Sequence, residues 1–455
     1  MNRAELRKNV DTIVIMMFEN RSFDHLLGHL SLPQFGGRTD VDGITDLASP
    51  AFRNPAQNGT MESPFLVKDA AFAEDLPHER DFVATQLAVA RLTGTATMTG
   101  FVRAYEQFTE STGVLNPPPM QILTPDSLPA TSFLAEEYMV CDRWFAPLPT
   151  STQPNRLMSL CGYTGIDETH SELMPDQRTL FDWLDAHGVS WRVYSAGISF
   201  WLLMKRLWPR VLSNKFRRLS ELSRDVQFEP KASWPKVILI EPDYEDSPVH
   251  TSGHASDNHP PLSVAFGESL LQQVYDALGA NEARWKKSAL IVTYDEHGGF
   301  FDHVPPVENV EHAPGPNWTS REKFTTTGVR VPALIVSPFV ARRSVSHVVL
   351  DHTSILQLLA ERFGKAGESY SPEVDGRRAA GIGSVSALLE ANAARPSTYV
   401  EPPDVKISAK VELQVTREPK TPSQHAFVAA VEAVADARQV AALKKYPQLA
   451  HWLRP

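Results

Sequence analysis

Cysteine is nearly absent from this sequence: Cys141 and Cys161 are the only two among 455 residues. Two thiols are too few for a disulfide scaffold, and they cannot form a structural zinc site by themselves. Because free cysteine usually behaves as a small apolar residue, we expect both thiols to be buried and free. A single bridge between Cys141 and Cys161 is the alternative.

Long apolar runs, surplus positive charge and a secretory leader are also missing. No run reaches the roughly 18 apolar residues of a membrane-spanning helix. The net charge of −10 argues against a nucleic-acid partner. Residues 1–9 are polar and end directly at an apolar strand pattern, which predicts a cytoplasmic protein. A secreted or periplasmic form that has lost its leader is the alternative.

What the sequence does contain is typical of a large α/β protein. Short apolar runs alternate with helical patterns, which favours a mainly parallel sheet with helices on both faces. The chain exceeds a usual single core, so we divide it into two parts. Residues 1–400 form the main domain, with loop-rich insertions at about 31–130 and 198–236. Residues 401–455 form a helical C-terminal extension that docks on the core or mediates contacts.

Two apolar strands end in side chains that carry oxygen. The runs at 12–18 and 289–294 are both followed at once by such residues, namely Glu19, Asn20, Asp295 and Glu296. Ligand sites of open α/β sheets lie at the carboxyl ends of strands, and adjacent carboxylates are costly unless a cation neutralises them. Hard oxygen ligands suit Ca²⁺, Mg²⁺ or Mn²⁺. We therefore predict one site for a divalent cation; helix caps or salt bridges are the alternative.

Thr152 is the candidate nucleophile. It lies in the segment 151–156, just before a predicted helix, where backbone N–H groups bind anions such as phosphate. A hydroxyl beside a divalent cation ionises more readily and can attack phosphorus. The alternative is that Thr152 merely caps the helix.

Four histidines lie in polar, loop-like contexts: His78, His254, His259 and His303. An imidazole can hold a phosphoryl oxygen or protonate a leaving alkoxide. His259 and His303 stand out because each adjoins an acidic segment that is fixed by proline or glycine. The alternative is that all four are ordinary surface residues.

The stretch 200–218 is aromatic and basic within an acidic protein. One interpretation is a lid that touches a lipid interface. The other is an amphipathic helix that packs on the mouth of the site.

Several motifs together resemble a known family. In chain order they are ENRSFDH at 19–25, STQPNR at 151–156, DNHPP at 257–261, YDEHGGFFDHVPP at 294–306, GVRVP at 328–332 with SP at 337–338, and DHTSI at 351–355. The sequence resembles the phosphoesterase family of bacterial phospholipases C, plant non-specific phospholipases C and related acid phosphatases. This family belongs to the alkaline phosphatase-like superfamily, and the motifs span roughly residues 10–365.

The resemblance implies an alkaline phosphatase-like core and a role for each motif residue. The implied metal ligands are Glu19, Asn20, Thr152, Asp295 and Glu296. The implied catalytic residues are Thr152, His259 and His303, and the implied phosphate-binding residues are His78, Asn155 and Arg156. Asn155 and Arg156 are also expected to shape the turn that carries Thr152. One departure is Met17-Phe18 before Glu19, where many members have a polar residue.

The expected function is therefore a metal-dependent phospholipase C that works through a phosphothreonine intermediate. It would use one divalent cation, Ca²⁺, Mg²⁺ or Mn²⁺, and a phospholipid or other phosphoester, with transient contact to a membrane surface. The first alternative is an acid phosphatase that acts on small monoesters. The second is a relative that has lost catalysis and serves as a binding module.

Overall fold

A computed structural model describes residues 1–68, 75–250, 254–392, 399–405, 414–415 and 418–452. Its centre is an eight-stranded sheet. The strands are β1 (Thr12–Phe18), β2 (Met139–Cys141), β3 (Trp191–Ser195), β4 (Phe216–Arg218), β5 (Val237–Glu241), β6 (Ser288–Tyr294), β7 (Ala333–Val336) and β8 (Ser344–Ser346). Their order is β8-β2-β7-β6-β1-β5-β3-β4. Only β7 runs antiparallel to its neighbours, so the prediction of a mainly parallel sheet is confirmed.

Helices and short strand pairs surround this sheet. The helices are α1 (Arg3–Asn9), α2 (Phe23–Leu27), α3 (Arg80–Leu87), α4 (Phe101–Phe108), α5 (Pro129–Glu137), α6 (Thr152–Cys161), α7 (Leu180–Ala186), α8 (Trp208–Val211), α9 (Leu222–Phe228), α10 (Ala265–Gly279), α11 (Glu282–Trp285), α12 (Thr353–Phe363), α13 (Pro372–Ala379), α14 (Pro422–Lys445) and α15 (Leu449–Trp452). The pairs are Asn54–Pro55 with Met61–Glu62, Phe65–Val67 with Gln121–Leu123, Trp144–Phe145 with Leu350–Asp351, Val249–His250 with Gln414–Val415, and Glu308–His312 with Phe324–Thr326.

The central strands are covered on both faces. Every residue of β1 and β6 is buried, although successive side chains of a strand point to opposite sides. Two separate groups of helices pack together: α1, α6 and α12 in one, and α5, α9, α10 and α11 in the other. The predicted α/β class is therefore confirmed. Among the described residues, no helix combines the length and the apolar character that crossing a bilayer requires.

The insertion at 31–130 contains more regular structure than its composition predicts. It has two helices, α3 and α4, and an apolar cluster that includes Val83, Phe101 and Ile122. The helix-like pattern of residues 80–91 anticipates α3, whereas no pattern in the sequence anticipates α4. The side chain of Asn54 accepts a hydrogen bond from the N–H of Phe101, at the start of α4. A cap supplied from 47 residues away leaves no local signal.

The aromatic residues of the stretch 200–218 lie inside the protein, while several of its basic residues reach the surface. The stretch forms the 3₁₀ turns Phe200–Leu203 and Lys205–Leu207, the short helix α8 and the edge strand β4. Phe200, Trp201 and Trp208 are all buried. The interpretation as a lipid-facing lid is therefore wrong, because the aromatic rings that it needs at the surface belong to the core. The alternative of a single amphipathic helix is also wrong.

The C-terminal extension docks on the main core, one of the two roles that the sequence allowed. Apolar residues of α14, among them Phe427, Val431 and Val434, join the cluster that includes the central strands. The boundary at residue 400 stays a prediction. Cys141 and Cys161 are free and buried, as expected, and burial raises the pKa of both thiols.

Candidate active site

The carboxyl ends of β1 and β6 bring two distant motifs together. The strands are parallel neighbours, with Phe18 opposite Tyr294, so the residues that follow them emerge side by side. The backbone N–H of Asn20 donates to Oδ1 of Asp295 at 3.1 Å, and the N–H of Arg21 donates to the carbonyl of Glu296. The predicted convergence of the two strand ends is therefore confirmed.

A double-glycine turn lets these segments approach so closely. Gly298 has φ +60°, and a Cβ at this position would lie 2.1 Å from the carbonyl oxygen of Asn20. Gly299 has φ +74°, and its Cβ would lie 2.7 Å from the carbonyl oxygen of Pro77. Glycine is required here for both backbone conformation and space.

Arg156 holds the acidic residues from behind. Its Nη2 lies 3.0 Å from Glu19 Oε1, and its Nε lies 3.1 Å from Asp295 Oδ2. It also donates to the carbonyl of Phe18 and to the hydroxyl of Tyr244. The guanidinium is buried, and it is bonded to protein groups from several elements. Arg156 therefore bonds both carboxylates, and its predicted contact with phosphate stays a prediction.

Asn155 fixes the loop that precedes α6. Its Nδ2 donates to the carbonyls of Leu148, Thr150 and Ser151, and its Oδ1 accepts from the N–H of Leu148. The side chain is fully buried. Asn155 therefore shapes the turn that carries Thr152, as expected, and its predicted contact with phosphate stays a prediction.

Thr152 faces the acidic cluster. It is the first residue of α6, and the N-cap position belongs to Ser151, so simple capping does not explain Thr152. Its Oγ1 lies 3.4 Å from Oδ1 of Asn20. The side chain is buried beside the strand ends, so its role as nucleophile stays a prediction that this position allows.

Two histidines border Asn20. Its Nδ2 lies 3.0 Å from Nε2 of His259 and 3.3 Å from Nε2 of His78, which leaves Oδ1 facing Thr152. The Nδ1 atoms bond to backbone carbonyls, those of Pro260 and Leu76 respectively. This arrangement directs both Nε2 atoms toward the site.

Carboxylates surround these rings. Burial lowers the pKa of His259, but Asp75, Asp246 and Glu19 outweigh it and raise that pKa well above the usual range. Burial likewise opposes protonation of His78, and Glu296 with Asp75 raises its pKa to about 9. These carboxylates therefore favour the protonated form of both imidazoles as long as no cation neutralises them.

The acidic cluster fits a cation with oxygen ligands. Burial raises the pKa of Glu19 well above the normal range, and burial raises that of Asp295 to about 6. Oε2 of Glu19 and Oε1 of Glu296 are buried and have no hydrogen-bond partner among the described residues. Unpartnered carboxylate oxygens are costly to bury, and a hard divalent cation would satisfy them. The residues present therefore fit the predicted metal.

His303 belongs to a neighbouring cluster. Its Nδ1 lies 2.7 Å from Asp24 Oδ2, and its Nε2 lies 3.0 Å from Asp42 Oδ1. Arg330 binds Asp24 and Asp302 in the same cluster. Although burial opposes it, Asp24 raises the pKa of His303 to about 10. Both of its ring nitrogens bond carboxylates of this cluster, and its predicted catalytic role stays a prediction. His254 instead stacks on Phe266, with 4.3 Å between ring centroids.

Asp75 and Asp246 were not anticipated by the sequence analysis. Nitrogen and oxygen atoms of Asp75, His78 and His259 lie within 4.8 Å of one another, as do those of Glu19, Asp246 and His259. One available signal was β5, a third strand that ends in acidic residues a few positions before Asp246.

Comparison with known proteins places the chain in a family. The model of the phosphoesterase family matches residues 10–365, so the chain belongs to the phosphoesterase family.

Named relatives include enzymes of plants and bacteria. Non-specific phospholipase C1 of Arabidopsis thaliana is 34% identical over 359 residues, which cover 74% of this chain and 62% of that protein. Phospholipase C A of Mycobacterium tuberculosis is 29% identical over 417 residues, which cover 78% and 73%. The chain thus spans less than two thirds of the plant relative. A solved alkaline phosphatase superfamily protein from Vibrio parahaemolyticus aligns with 68% of this chain and 82% of that one, at 12% identity and TM-score 0.33.

Proposed function

We propose that this protein is a metal-dependent phosphoesterase, and specifically a phospholipase C with Thr152 as nucleophile. The observation that carries the proposal is the position of Thr152 Oγ1, 3.4 Å from Asn20 Oδ1 at the edge of a buried oxygen cluster. The two protonatable histidines on the other side of Asn20 complete a set suited to phosphoryl transfer.

A divalent cation would be held by Glu19, Asn20, Asp295 and Glu296 together with Thr152, and it would neutralise charge on the phosphoryl group. The carboxylates are already placed for this by Arg156 and by the double-glycine turn. Preorganised charge of this kind supplies most of the rate in phosphoryl transfer.

The protein side chains divide the remaining work. Thr152 attacks phosphorus as the alkoxide, a form that a neighbouring divalent cation would stabilise, so the bond from Oγ1 to phosphorus forms while the bond to the leaving oxygen breaks. His259 donates its Nε2 proton to that leaving oxygen, and His78 binds a phosphoryl oxygen. Neutral His259 then takes a proton from water, which attacks phosphorus and releases Thr152.

The lipid substrate is supported by the names of the relatives, several of which are phospholipases C. The released products would be diacylglycerol and a phosphorylated head group, and the enzyme would contact a membrane surface transiently. An acid phosphatase for small monoesters is the second candidate, because the same site chemistry serves both. The compartment stays a prediction, cytoplasmic or, after removal of a leader, secreted or periplasmic.

The test compares two substrates and two variants. Phosphatidylcholine in mixed micelles and p-nitrophenyl phosphate are assayed side by side, with the wild type, Thr152→Ala and Thr152→Ser. We expect diacylglycerol release from the wild type, reduced release from Thr152→Ser and none from Thr152→Ala, with an unchanged melting temperature. Turnover by Thr152→Ala would remove Thr152 from the mechanism, and hydrolysis of only the monoester would favour the phosphatase. Absence of bound metal and of any chelator effect would favour the non-catalytic relative.

A further inference from the structure

The C-terminal extension reaches the active site, although it lies outside the segment 10–365 that the family model matches. Its helix α14 starts at Pro422, with Thr421 as the N-cap residue. The first two turns of α14 contact residues that themselves contact the acidic cluster. These contacts occur at two separate points.

The first point of contact is Asp246. Oγ1 of Thr421 donates to Oδ1 of Asp246 at 3.0 Å, while it accepts from the N–H of Gln424 at 3.1 Å. The Asp246 carboxylate is buried, and it groups with Glu19 and His259 within 4.8 Å. A carboxylate at this distance acts on the imidazole through its charge, without a direct hydrogen bond. The hydroxyl of Thr421 thus holds a carboxylate that lies beside the proposed acid and beside Glu19.

The second point of contact is the packing around Arg156. The ring of Phe427 lies 5.9 Å from the ring of Tyr244 and 5.8 Å from that of Phe200. Both of these rings lie 5.3 Å from Cζ of Arg156, and the Tyr244 hydroxyl accepts a hydrogen bond from Arg156 Nη1. Phe427 therefore closes an aromatic enclosure around the guanidinium that binds the metal carboxylates.

We propose that Thr421 and Phe427 are positioning residues of the active site, through which the C-terminal extension fixes Asp246 and Arg156. The inference rests on the proposed function and extends it to a segment outside the matched region. Loss of the Thr421 hydroxyl would free the Asp246 carboxylate to move away from Glu19 and His259. Loss of the Phe427 ring would leave a cavity into which Tyr244 and Phe200 could move, and Arg156 would loosen its hold on Glu19 and Asp295.

The experiment measures cation affinity and turnover of the full-length protein. Whichever of Ca²⁺, Mg²⁺ and Mn²⁺ binds the wild type most tightly is titrated calorimetrically into chelator-treated protein. The variants are Thr421→Val, Thr421→Ser, Phe427→Ala and Phe427→Leu. The matched control is Val434→Ala, a buried position on α14 seven residues beyond Phe427, or about two helical turns.

We expect Phe427→Ala to weaken cation binding and Thr421→Val to lower kcat at saturating cation, each by about tenfold to a hundredfold. Thr421→Ser and Phe427→Leu should keep cation affinity and kcat within about threefold of the wild type. Val434→Ala should lower the melting temperature while cation affinity and kcat stay at the wild-type level. Equal affinities and turnover for all five variants would overturn the inference, and so would losses in Val434→Ala as large as those in Phe427→Ala.

A double-mutant cycle tests the Thr421 contact directly. If Thr421 acts through Asp246, Thr421→Val should have no further effect on kcat in an Asp246→Asn background. Fully additive effects would overturn the role of this contact. The calorimetric readout also separates the two proposals. If Thr152→Ala stays active, the proposed mechanism fails, but the cation affinities of the Phe427 variants still decide whether α14 positions the site.

Discussion

Arg156 and Glu19 form an ion pair at 3.0 Å in which the side chains are only 3% and 1% exposed. The two residues are 137 positions apart in the chain. The same guanidinium also binds Asp295, so a single buried cation of the protein restrains carboxylates from two strand ends. Arg156 therefore offsets part of the negative charge that the proposed metal would neutralise.

Replacing Arg156 should show how far its positive charge and the cation each neutralise the carboxylates. Removing one partner of a buried ion pair typically costs about 3–5 kcal/mol, because the other charge stays buried without compensation. We expect Arg156→Met to lose stability of this order in the presence of a chelator, and to recover part of it when Mn²⁺ is added. Urea unfolding with and without the ion checks both. The stability of Arg156→Lys in chelator should lie between that of the wild type and that of Arg156→Met, since lysine cannot donate to both carboxylates in the same fork geometry. Wild-type stability of Arg156→Met in chelator would contradict the assignment.

His259 and His303, the two histidines predicted to be catalytic, should differ in their effect on turnover. His259→Gln removes the proposed general acid and should lower kcat by about a hundredfold or more. His303→Gln should lower kcat by less than about tenfold, because His303 is engaged with Asp24 and Asp42. Steady-state assays at saturating substrate and cation make the comparison, with circular dichroism to verify folding. Larger losses in His303→Gln than in His259→Gln would reverse the assignment.

Substitution of Gly298 should cost more stability than its positive φ alone implies. Gly298 and Gly367 both have positive φ, +60° and +75°, but a Cβ at Gly367 meets nothing within 4 Å. Gly367→Ala should therefore cost only the conformational strain, about 1 kcal/mol. Gly298→Ala should cost more and also weaken cation binding, because its Cβ collides with the carbonyl of Asn20. Thermal unfolding and calorimetric titration of both variants test this, and equal behaviour would argue against a close approach at Gly298.

A buried carboxyl outside the site should make stability depend on pH. Glu268 accepts hydrogen bonds from the N–H groups of Ala130 and Thr131 at the start of α5, yet burial raises its pKa to about 7. Because the folded-state pKa lies above the unfolded value of about 4.5, its contribution is full below pH 4.5 and is lost as pH rises toward 7. The loss amounts to about 3 kcal/mol.

Glu268→Gln provides the control for this effect, because the amide cannot ionise. Urea unfolding at several pH values between 4.5 and 8 should show a smaller decline for the variant than for the wild type. A wild type that gains stability over this range, relative to Glu268→Gln, would mean that the helix N–H groups hold Glu268 in its charged form.

The sequence predicts the centre of the site well, because the relevant residues directly follow strands. Glu19 and Asp295 each terminate an apolar run, and neighbouring parallel strands place such ends at one edge. Asp75 and Asp246 escape prediction since they lie in loops whose course is set by tertiary contacts. Thr421 reads locally as an N-cap, and nothing nearby in the sequence reveals its bond to Asp246.

Two misjudged segments illustrate a further limit. Trp201 and Trp208 belong to an aromatic and basic stretch, but composition alone does not say which side chains face the core. Helix α4 is missed because its cap, Asn54, comes from a distant strand. In both cases the structure depends on contacts between residues that are far apart in the chain, and a local pattern of apolar and polar residues does not reveal such contacts.

The central contacts of the site have consequences for folding kinetics. Asn20 meets His259 across 239 positions and Thr152 across 132, so no local segment contains a functional fragment. Contacts of such long range form slowly, because loop closure must precede them. During refolding from urea, secondary structure should therefore recover before hydrolytic activity does. The delay between the two would measure how long the long-range contacts of the site take to form.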